Sequence, residues 1–363
     1  MKVVIAGGGT GGHIFPAVAI GHALQRLRPG TELLFVGAKG KMEMEKIPQE
    51  GFPIIGLDIA GFNRSNLLKN ISLPFKLWKS RQQANKVIRD FAPDAVVGVG
   101  GFASFPMLNA AQAQGIPTLI QEQNSFAGKS NKLLGKKAKA VCVAYEGMER
   151  FFPKDRIIIT GNPVRASIAQ SNISKEEGLA AFGLSPDRET ILIVGGSLGA
   201  RSINEAIAQH IQEIAGWNVQ LIWQTGKLFI EEAKKVTAPL GKGMIVQDFI
   251  RNMEYAYAAA DVVISRAGAL ASAELCIAGK PVIFVPYPFA AEDHQTSNAL
   301  ALVEHNAAMM VKDNETRTEL VRKLHTLLGD DNMRQIMAAN IQKHGIKDAD
   351  ERIARKVIEI CGQ

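Results

Sequence analysis

The residues best suited to chemistry lie near the start of the chain, where Gly7-Gly8-Gly9-Thr10-Gly11-Gly12-His13 follows the apolar run Val3-Val4-Ile5-Ala6. Glycine lacks a Cβ and tolerates positive φ, so this stretch can turn tightly and bring its backbone close to a ligand. Ile20, Ala23, Leu24 and Leu27 then recur at helical spacing. The loop therefore feeds a helix N-terminus, whose N–H groups and dipole favour a phosphate or a developing oxyanion. His13 places an imidazole there, able to take a proton near neutral pH while the loop holds charge. The plainer role for His13 is to cap its own helix. Gly7, Gly9 and Gly12 also satisfy G-x-G-x-x-G, but a dinucleotide site needs an acidic residue at the end of the second strand. That strand ends in Gly37-Ala38-Lys39, with Glu32 at the wrong end, which argues against NAD.

Several later loops share this character. Gly98-Val99-Gly100-Gly101-Phe102-Ala103-Ser104 can expose backbone N–H groups to a second anion, and Gln121-Glu122-Gln123-Asn124-Ser125 is a polar run too dense for a core. Either could also be ordinary turn chemistry. Gly195-Gly196-Ser197-Leu198-Gly199-Ala200-Arg201 repeats the opening layout of strand, glycine loop and helix. In Ser265-Arg266-Ala267-Gly268-Ala269-Leu270-Ala271-Ser272-Ala273-Glu274, small residues admit a ligand to a helix start. Glu274, read as lying near the first turn, can accept from two vicinal ribose hydroxyls or can simply suit the helix dipole. Gln295, in the polar cluster after Pro286-Tyr287-Pro288, offers a donor and an acceptor to sugar hydroxyls.

These loops need a frame that places them together, and the apolar runs supply it. Strands are expected at Leu33 to Val36, Ile54 to Leu57, Ala95 to Val99, Thr118 to Ile120, Val141 to Ala144 and Ile157 to Ile159. A second set is expected at Ile191 to Val194, Gln220 to Trp223, Met244 to Val246, Val262 to Ile264 and Val282 to Val285, with closing helices over Thr316 to Leu328 and Asp350 to Ile360. Strands alternating with helices imply an α/β fold with parallel sheets, which bind ligands beyond their carboxyl ends. The 363 residues exceed what one core usually holds, and the Asn162-Pro163 turn marks a hinge. The domains expected are 1–162 and 163–345, with 346–363 a C-terminal helix packing back on the first.

Three scattered cysteines, Cys142, Cys276 and Cys361, indicate neither a disulfide framework nor a zinc site. No metal site is expected. The net charge of +7 suits an anionic partner, although no aromatic-interleaved basic stripe points to nucleic acid. From Leu67 to Arg81, Ile71, Phe75, Leu77 and Trp78 are interleaved with Lys69, Lys76, Lys79 and Arg81. Such a segment can lie in a membrane interface or form a core helix with a solvated basic face.

Taken together, GGGTGGH at 7–13, GVGGFAS at 98–104, EQN at 122–124, GNPVR at 161–165, GGSLGAR at 195–201, SRAGALASAE at 265–274 and DHQTSNA at 293–299 resemble the MurG family of N-acetylglucosaminyltransferases. The resemblance implies a GT-B architecture, two Rossmann-like domains facing across a cleft. It also implies transfer of N-acetylglucosamine from UDP-GlcNAc to lipid I, giving lipid II in peptidoglycan synthesis. Under it His13 is the general base, and Thr10, Gly11, Gly12, Asn124, Arg165, Ser197, Ile250, Ala269, Leu270, Ala271, Ser272, Ala273, Glu274 and Gln295 line the donor site. Gly100, Gly101 and Ser104 would meet the acceptor diphosphate. No tightly bound cofactor is expected, and a divalent cation could stimulate the reaction. Ile71, Phe75, Trp78, Lys69, Lys76, Lys79 and Arg81 would form a patch for the anionic membrane, attaching the protein peripherally to the cytoplasmic face. Other cell-wall synthesis or division proteins are further expected partners. Two departures from the family pattern, Gln121 before Glu122 and Phe105 after Ser104, fall on the acceptor side. The alternatives are another GT-B transferase, a UDP-sugar epimerase, or a UDP-sugar-binding scaffold without turnover.

Overall fold

The computed structural model describes residues 1–59, 73–196 and 198–362, in two units: Met1–Arg165 with the segment from Asp348 on, and Ala166–Lys347. The first boundary lies beyond the Asn-Pro turn, because that turn is held inside the first unit. Thr160 and Gly161 both donate to the Val143 carbonyl, and Asn162 is bonded to Gln121 and Gln123.

The first unit carries seven strands, β1 (Lys2–Ala6), β2 (Glu32–Ala38), β3 (Ile54–Leu57), β4 (Ala95–Gly98), β5 (Thr118–Glu122), β6 (Ala140–Val143) and β7 (Ile157–Ile159). Their order is β3-β2-β1-β4-β5-β6-β7, with every neighbouring pair parallel. Chain order reverses between β1 and β4. That is where an open parallel sheet leaves a crevice beyond its strand ends.

The strands read as near-continuous apolar runs because helices cover both faces of the sheet. Successive side chains of β1 serve opposite cores. Val3 and Ile5 pack with Ile20 and Leu24 of α1 (Gly11–Leu27) and with Ile353 and Val357 of the helix Ala349–Ile360. Val4 and Ala6 pack with Val87 of α3 (Leu73–Phe91) and with Met107 and Leu108 of α4 (Ser104–Ala113). A short helix between them, α2 (Glu43–Gln49), escapes the apolar-periodicity reading.

The second unit repeats the plan with β8 (Thr190–Val194), β9 (Gln220–Gln224), β10 (Met244–Gln247), β11 (Val262–Ser265), β12 (Val282–Phe284) and the two-residue β13 (Met309–Met310). The order is β10-β9-β8-β11-β12-β13, again parallel throughout, so the switch falls between β8 and β11. Its core is built from Ile191, Ile193, Ile207, Trp223 and Leu324. Both sheets are therefore of the doubly wound α/β kind. The stretch expected as one helix from Thr316 is wider-wound over Thr316–Leu320 and becomes a regular helix over Val321–Leu328.

Candidate active site

In the first unit the two glycine loops lie side by side at the switch point. Gly7 donates to the Val36 carbonyl at 3.0 Å, Val99 to that of Ala6 at 3.0 Å, and Gly8 to that of Gly100 at 3.3 Å. A Cβ at Gly101 would stand 2.2 Å from the Gly8 oxygen, and Gly101 has φ +84°, so only glycine fits there. Thr10 is the exposed, extended N-cap of α1, and its carbonyl accepts from His13 and Ile14, each at 3.1 Å. No acidic residue occupies the first turn of α1 itself. Pro16 removes the N–H that the Gly12 carbonyl would otherwise accept.

His13 is half-buried, with Nδ1 at 3.0 Å from the Gly8 carbonyl and 3.4 Å from Thr10 Oγ1. Its Nε2 faces Gly100, lying 2.8 Å from where a Cβ on that glycine would be. Thr10, His13, Gly100 and Gly101 are thus brought together. Ser104 is not: it is 1% exposed, and its hydroxyl lies against Gly98, 2.6 Å from an ideal Cβ there, with no hydrogen-bond partner among the described residues. The expectation that Ser104 meets an acceptor diphosphate alongside Gly100 and Gly101 gives way to this interior position.

The polar run after β5 also turns out to be interior, because its members satisfy one another. Gln121 is fully buried and donates to Asn162 Oδ1 at 2.9 Å, while Gln123 Nε2 donates to the Val99 carbonyl at 2.7 Å. Glu122 takes four N–H groups: Asn131 Nδ2 at 2.8 Å, the backbone of Asn124 at 3.1 Å and of Gly128 at 3.2 Å, and Asn124 Nδ2 at 3.3 Å. Burial pushes its carboxyl above the ordinary value, against the opposing pull of these donors. Asn124 is therefore fixed by Glu122 on a loop tied to that of Gly100. Of the two departures from the family pattern, Gln121 is internal, and Phe105 is half-buried and packs on the core.

Ser197 lies outside the described residues, but its flanks are defined. Gly199 donates to the Gly196 carbonyl at 3.0 Å, and a Cβ on Gly199 would stand 2.0 Å from the Thr225 oxygen. Gln224, buried at the end of β9, donates to the Gly196 carbonyl at 3.0 Å and accepts from Ile250 N at 2.9 Å. The Ile250 side chain is itself buried, so its backbone is what Gln224 holds in place.

The helix Ala269–Ala278 starts at Gly268, with Ala269, Leu270, Ala271 and Ala273 half-buried and Ser272 buried. Glu274 is its sixth residue, in the second turn, so the dipole role does not apply to it. It is 7% exposed and accepts from Tyr257 Oη at 3.1 Å. Gln295 spends its carbonyl on Tyr287 N at 2.9 Å, which leaves its amide N–H groups, not a donor and acceptor pair, for recognition. Glu292 and Asp293, immediately before, both have positive φ, a conformation costly for non-glycine residues. Arg266 ties the loops at this switch point together, donating to the Val285 and Pro286 carbonyls, to Ser202 Oγ and to Asp313. Arg165 is half-buried at the end of the first unit.

Of the basic and apolar patch, Lys69 and Ile71 lie outside the described residues, and Phe75 and Lys76 fall in α3 without a described side chain. Trp78 is 59% exposed and Arg81 is exposed. Lys79 pairs with Asp58 at 3.0 Å, as does Lys39, and with Gln83 they hold that carboxyl well below the usual range. Among the described residues no helix is long and apolar enough to cross a membrane, and no three His, Cys, Asp or Glu side chains converge as metal ligands.

Glu43, Gln224, Tyr257 and Arg266 were not singled out by sequence reasoning. For Gln224 a signal existed, a polar residue directly after the apolar run Leu221-Ile222-Trp223. For Glu43 none did.

Residues 3–143 match the glycosyltransferase family 28 N-terminal domain and residues 190–353 its C-terminal domain. A Phocaeicola vulgatus protein named UDP-N-acetylglucosamine--N-acetylmuramyl-(pentapeptide) pyrophosphoryl-undecaprenol N-acetylglucosamine transferase is 53% identical, over 99% of this chain and 96% of that one. The protein of the same name from Bacteroides thetaiotaomicron is 50% identical, over 99% and 98%. The crystal structure of Acinetobacter baumannii MurG matches with a TM-score of 0.80 at 31% identity, covering 99% of both chains. With both family domains matched and full-length relatives at this identity, the chain belongs to the MurG family within glycosyltransferase family 28.

Proposed function

We propose that this protein transfers N-acetylglucosamine from UDP-GlcNAc to the muramyl 4-hydroxyl of undecaprenyl-pyrophosphoryl-N-acetylmuramyl-pentapeptide, making lipid II from lipid I with inversion at the anomeric carbon. The relatives' shared name supports the reaction. The observation that carries the chemistry is His13: its Nδ1 is anchored on the Gly8 carbonyl at the sheet's switch point, and its Nε2 faces Gly100, the glycine assigned to the acceptor.

In the proposed step the hydroxyl oxygen bonds to the anomeric carbon as the bond from that carbon to the β-phosphate oxygen breaks. The hydroxyl proton passes to His13 Nε2, because an alcohol is a poor nucleophile until it loses its proton. UDP leaves carrying the electron pair. N–H groups at the start of the helix Ala269–Ala278 are suited to that charge, and the loop of Ser197 is assigned to the diphosphate beside them. Glu274 is assigned to the ribose hydroxyls, and the Gln295 amide and Asn124 to the sugar. The acceptor is assigned to the first unit through Gly100 and Gly101. A divalent ion is assigned a stimulatory role, so chelation with EDTA is expected to lower turnover.

Peripheral attachment to the inner face of the membrane through α3 and the segment before it is part of the same proposal. The exposed Trp78 and Arg81 support it, since an indole and a guanidinium suit the boundary between acyl chains and anionic headgroups. Other cell-wall synthesis or division proteins are proposed as partners at that surface.

The test is UDP release from UDP-GlcNAc with and without a soluble lipid I analogue, with UDP-N-acetylgalactosamine as control donor. Release that needs both the right donor and the muramyl acceptor is expected. Donor binding without acceptor-dependent release would overturn the reaction. A His13→Ala variant retaining near wild-type turnover would overturn the base assignment.

A further inference from the structure

We infer that Glu43 is a positioning residue for His13, acting through the one peptide unit between Gly8 and Gly9; this rests on the reading of His13 as the base. The two ends of that peptide are engaged on opposite sides. Its N–H, on Gly9, donates to Glu43 Oε2 at 2.8 Å, and its carbonyl, on Gly8, accepts from His13 Nδ1 at 3.0 Å.

A carbonyl oxygen has no proton to give, so the His13 contact is a hydrogen bond only when Nδ1 carries the hydrogen. The bridge therefore selects the tautomer whose Nε2 holds a lone pair. A carboxylate drawing on the peptide N–H increases the charge on the same peptide's oxygen, because the amide is conjugated and hydrogen bonds in series polarise one another. That makes Gly8 a stronger acceptor and favours the imidazolium formed when His13 takes a proton. No proton travels along the peptide. Thr10 Oγ1, at 3.4 Å, is a weaker competitor for Nδ1.

The surrounding sequence is shaped to admit this carboxylate. A Cβ on Gly8 would lie 2.3 Å from Glu43 Cδ, and one on Gly37 would lie 2.5 Å from Glu43 Cγ. Glu43 is 1% exposed, and its other oxygen takes the Ala38 N–H at 3.0 Å. Among the described contacts, the groups that meet the first turn of α1 include the loop backbone, Thr10, Gly100 and, from α2, Glu43. Titratable side chains farther along α1 meet other partners: His22 lies 3.7 Å from Glu50, and Arg26 pairs with Asp350 on the helix Ala349–Ile360 at 2.9 Å.

The test is nitrogen-15 NMR of the full-length protein labelled at histidine, with a His13→Gln variant to assign the signal. The wild type is expected to show His13 protonated at Nδ1, and Glu43→Gln to lower the His13 pKa by about half a unit or more. Glutamine at 43 can accept only one of the two backbone N–H groups that the carboxylate now takes. In turnover assays Glu43→Gln is expected to lower kcat about tenfold or more, with the donor KM within about twofold, and to move the acid limb of the pH profile with the NMR value. An Nε2–H tautomer in the wild type, which needs no variant to fold, would overturn the inference, as would an unchanged His13 pKa in Glu43→Gln. A shifted His13 pKa with an unmoved acid limb would support the bridge while refuting His13 as the base.

Discussion

Replacing Gln224 with leucine asks whether one buried amide holds the second unit's glycine loop in register with the backbone of Ile250. The amide is 2% exposed and makes two bonds, to the Gly196 carbonyl at 3.0 Å and from Ile250 N at 2.9 Å. Leucine fills nearly the same space but leaves the buried Ile250 N–H unpaired, at a cost of about 1–3 kcal/mol, while the exposed Gly196 carbonyl keeps its bond from Gly199 N. Set against a modest gain from burying apolar surface, the net loss is about 1–2 kcal/mol. For a unit of this size each kcal/mol moves the midpoint by about 2–4 °C, so a fall of about 2–8 °C is expected by calorimetry. The same variant should bind UDP more weakly, because Gly196 flanks Ser197 and both Ser197 and Ile250 are assigned to the donor. A loop equilibrium displaced by about 1.4 kcal/mol is a tenfold loss of affinity, readable by titration calorimetry. A midpoint within 1 °C or so of wild type, with UDP affinity inside about twofold, would refute the reasoning.

Three further outcomes are expected. Tyr257→Phe removes the hydroxyl that donates to Glu274 at 3.1 Å, and should raise the UDP-GlcNAc KM about tenfold while reducing discrimination against a 2′-deoxyribose donor. Unchanged discrimination would detach Tyr257 from the ribose site. The Glu122 carboxyl is raised by burial, so its contribution to stability is full below the unfolded pKa and is lost as pH rises through the folded one. Glu122→Gln removes that slope, and the midpoint of the variant relative to wild type should rise between pH 4 and 8; parallel curves would contradict this. Gly101→Ala forces a Cβ to within 2.2 Å of the Gly8 oxygen at a φ of +84°. It should lower kcat about tenfold or more through the displaced loops, and wild-type turnover would show that their register is not needed.

The frame was readable because buried parallel strands are runs of apolar residues bounded by glycine, and runs such as Val3–Ala6 and Ile191–Val194 permit little else. Short elements were not. The helix Glu43–Gln49 and the two-residue strand Met309–Met310 are too brief to show a period. Polar residues misled for one physical reason: the interior accepts them when their hydrogen bonds close on one another. Gln121, Glu122 and Gln123 read as a surface loop, yet all three are at most 2% exposed.

The sequence by itself determined that two glycine-rich loops, each following an apolar strand and feeding a helix, would stand at strand ends, and that His13 would sit beside the first. Backbone freedom and side-chain period are local properties, written residue by residue. Only the tertiary structure decided what lies behind those loops: Glu43 beneath Gly8 and Gly9, Gln224 between Gly196 and Ile250, Tyr257 against Glu274. These partners are separated along the chain by anything from 17 to 34 residues, and no local pattern links them. They meet because parallel crossovers return successive strand ends to one edge of the sheet, where a carboxylate or amide from one connection reaches the backbone of another.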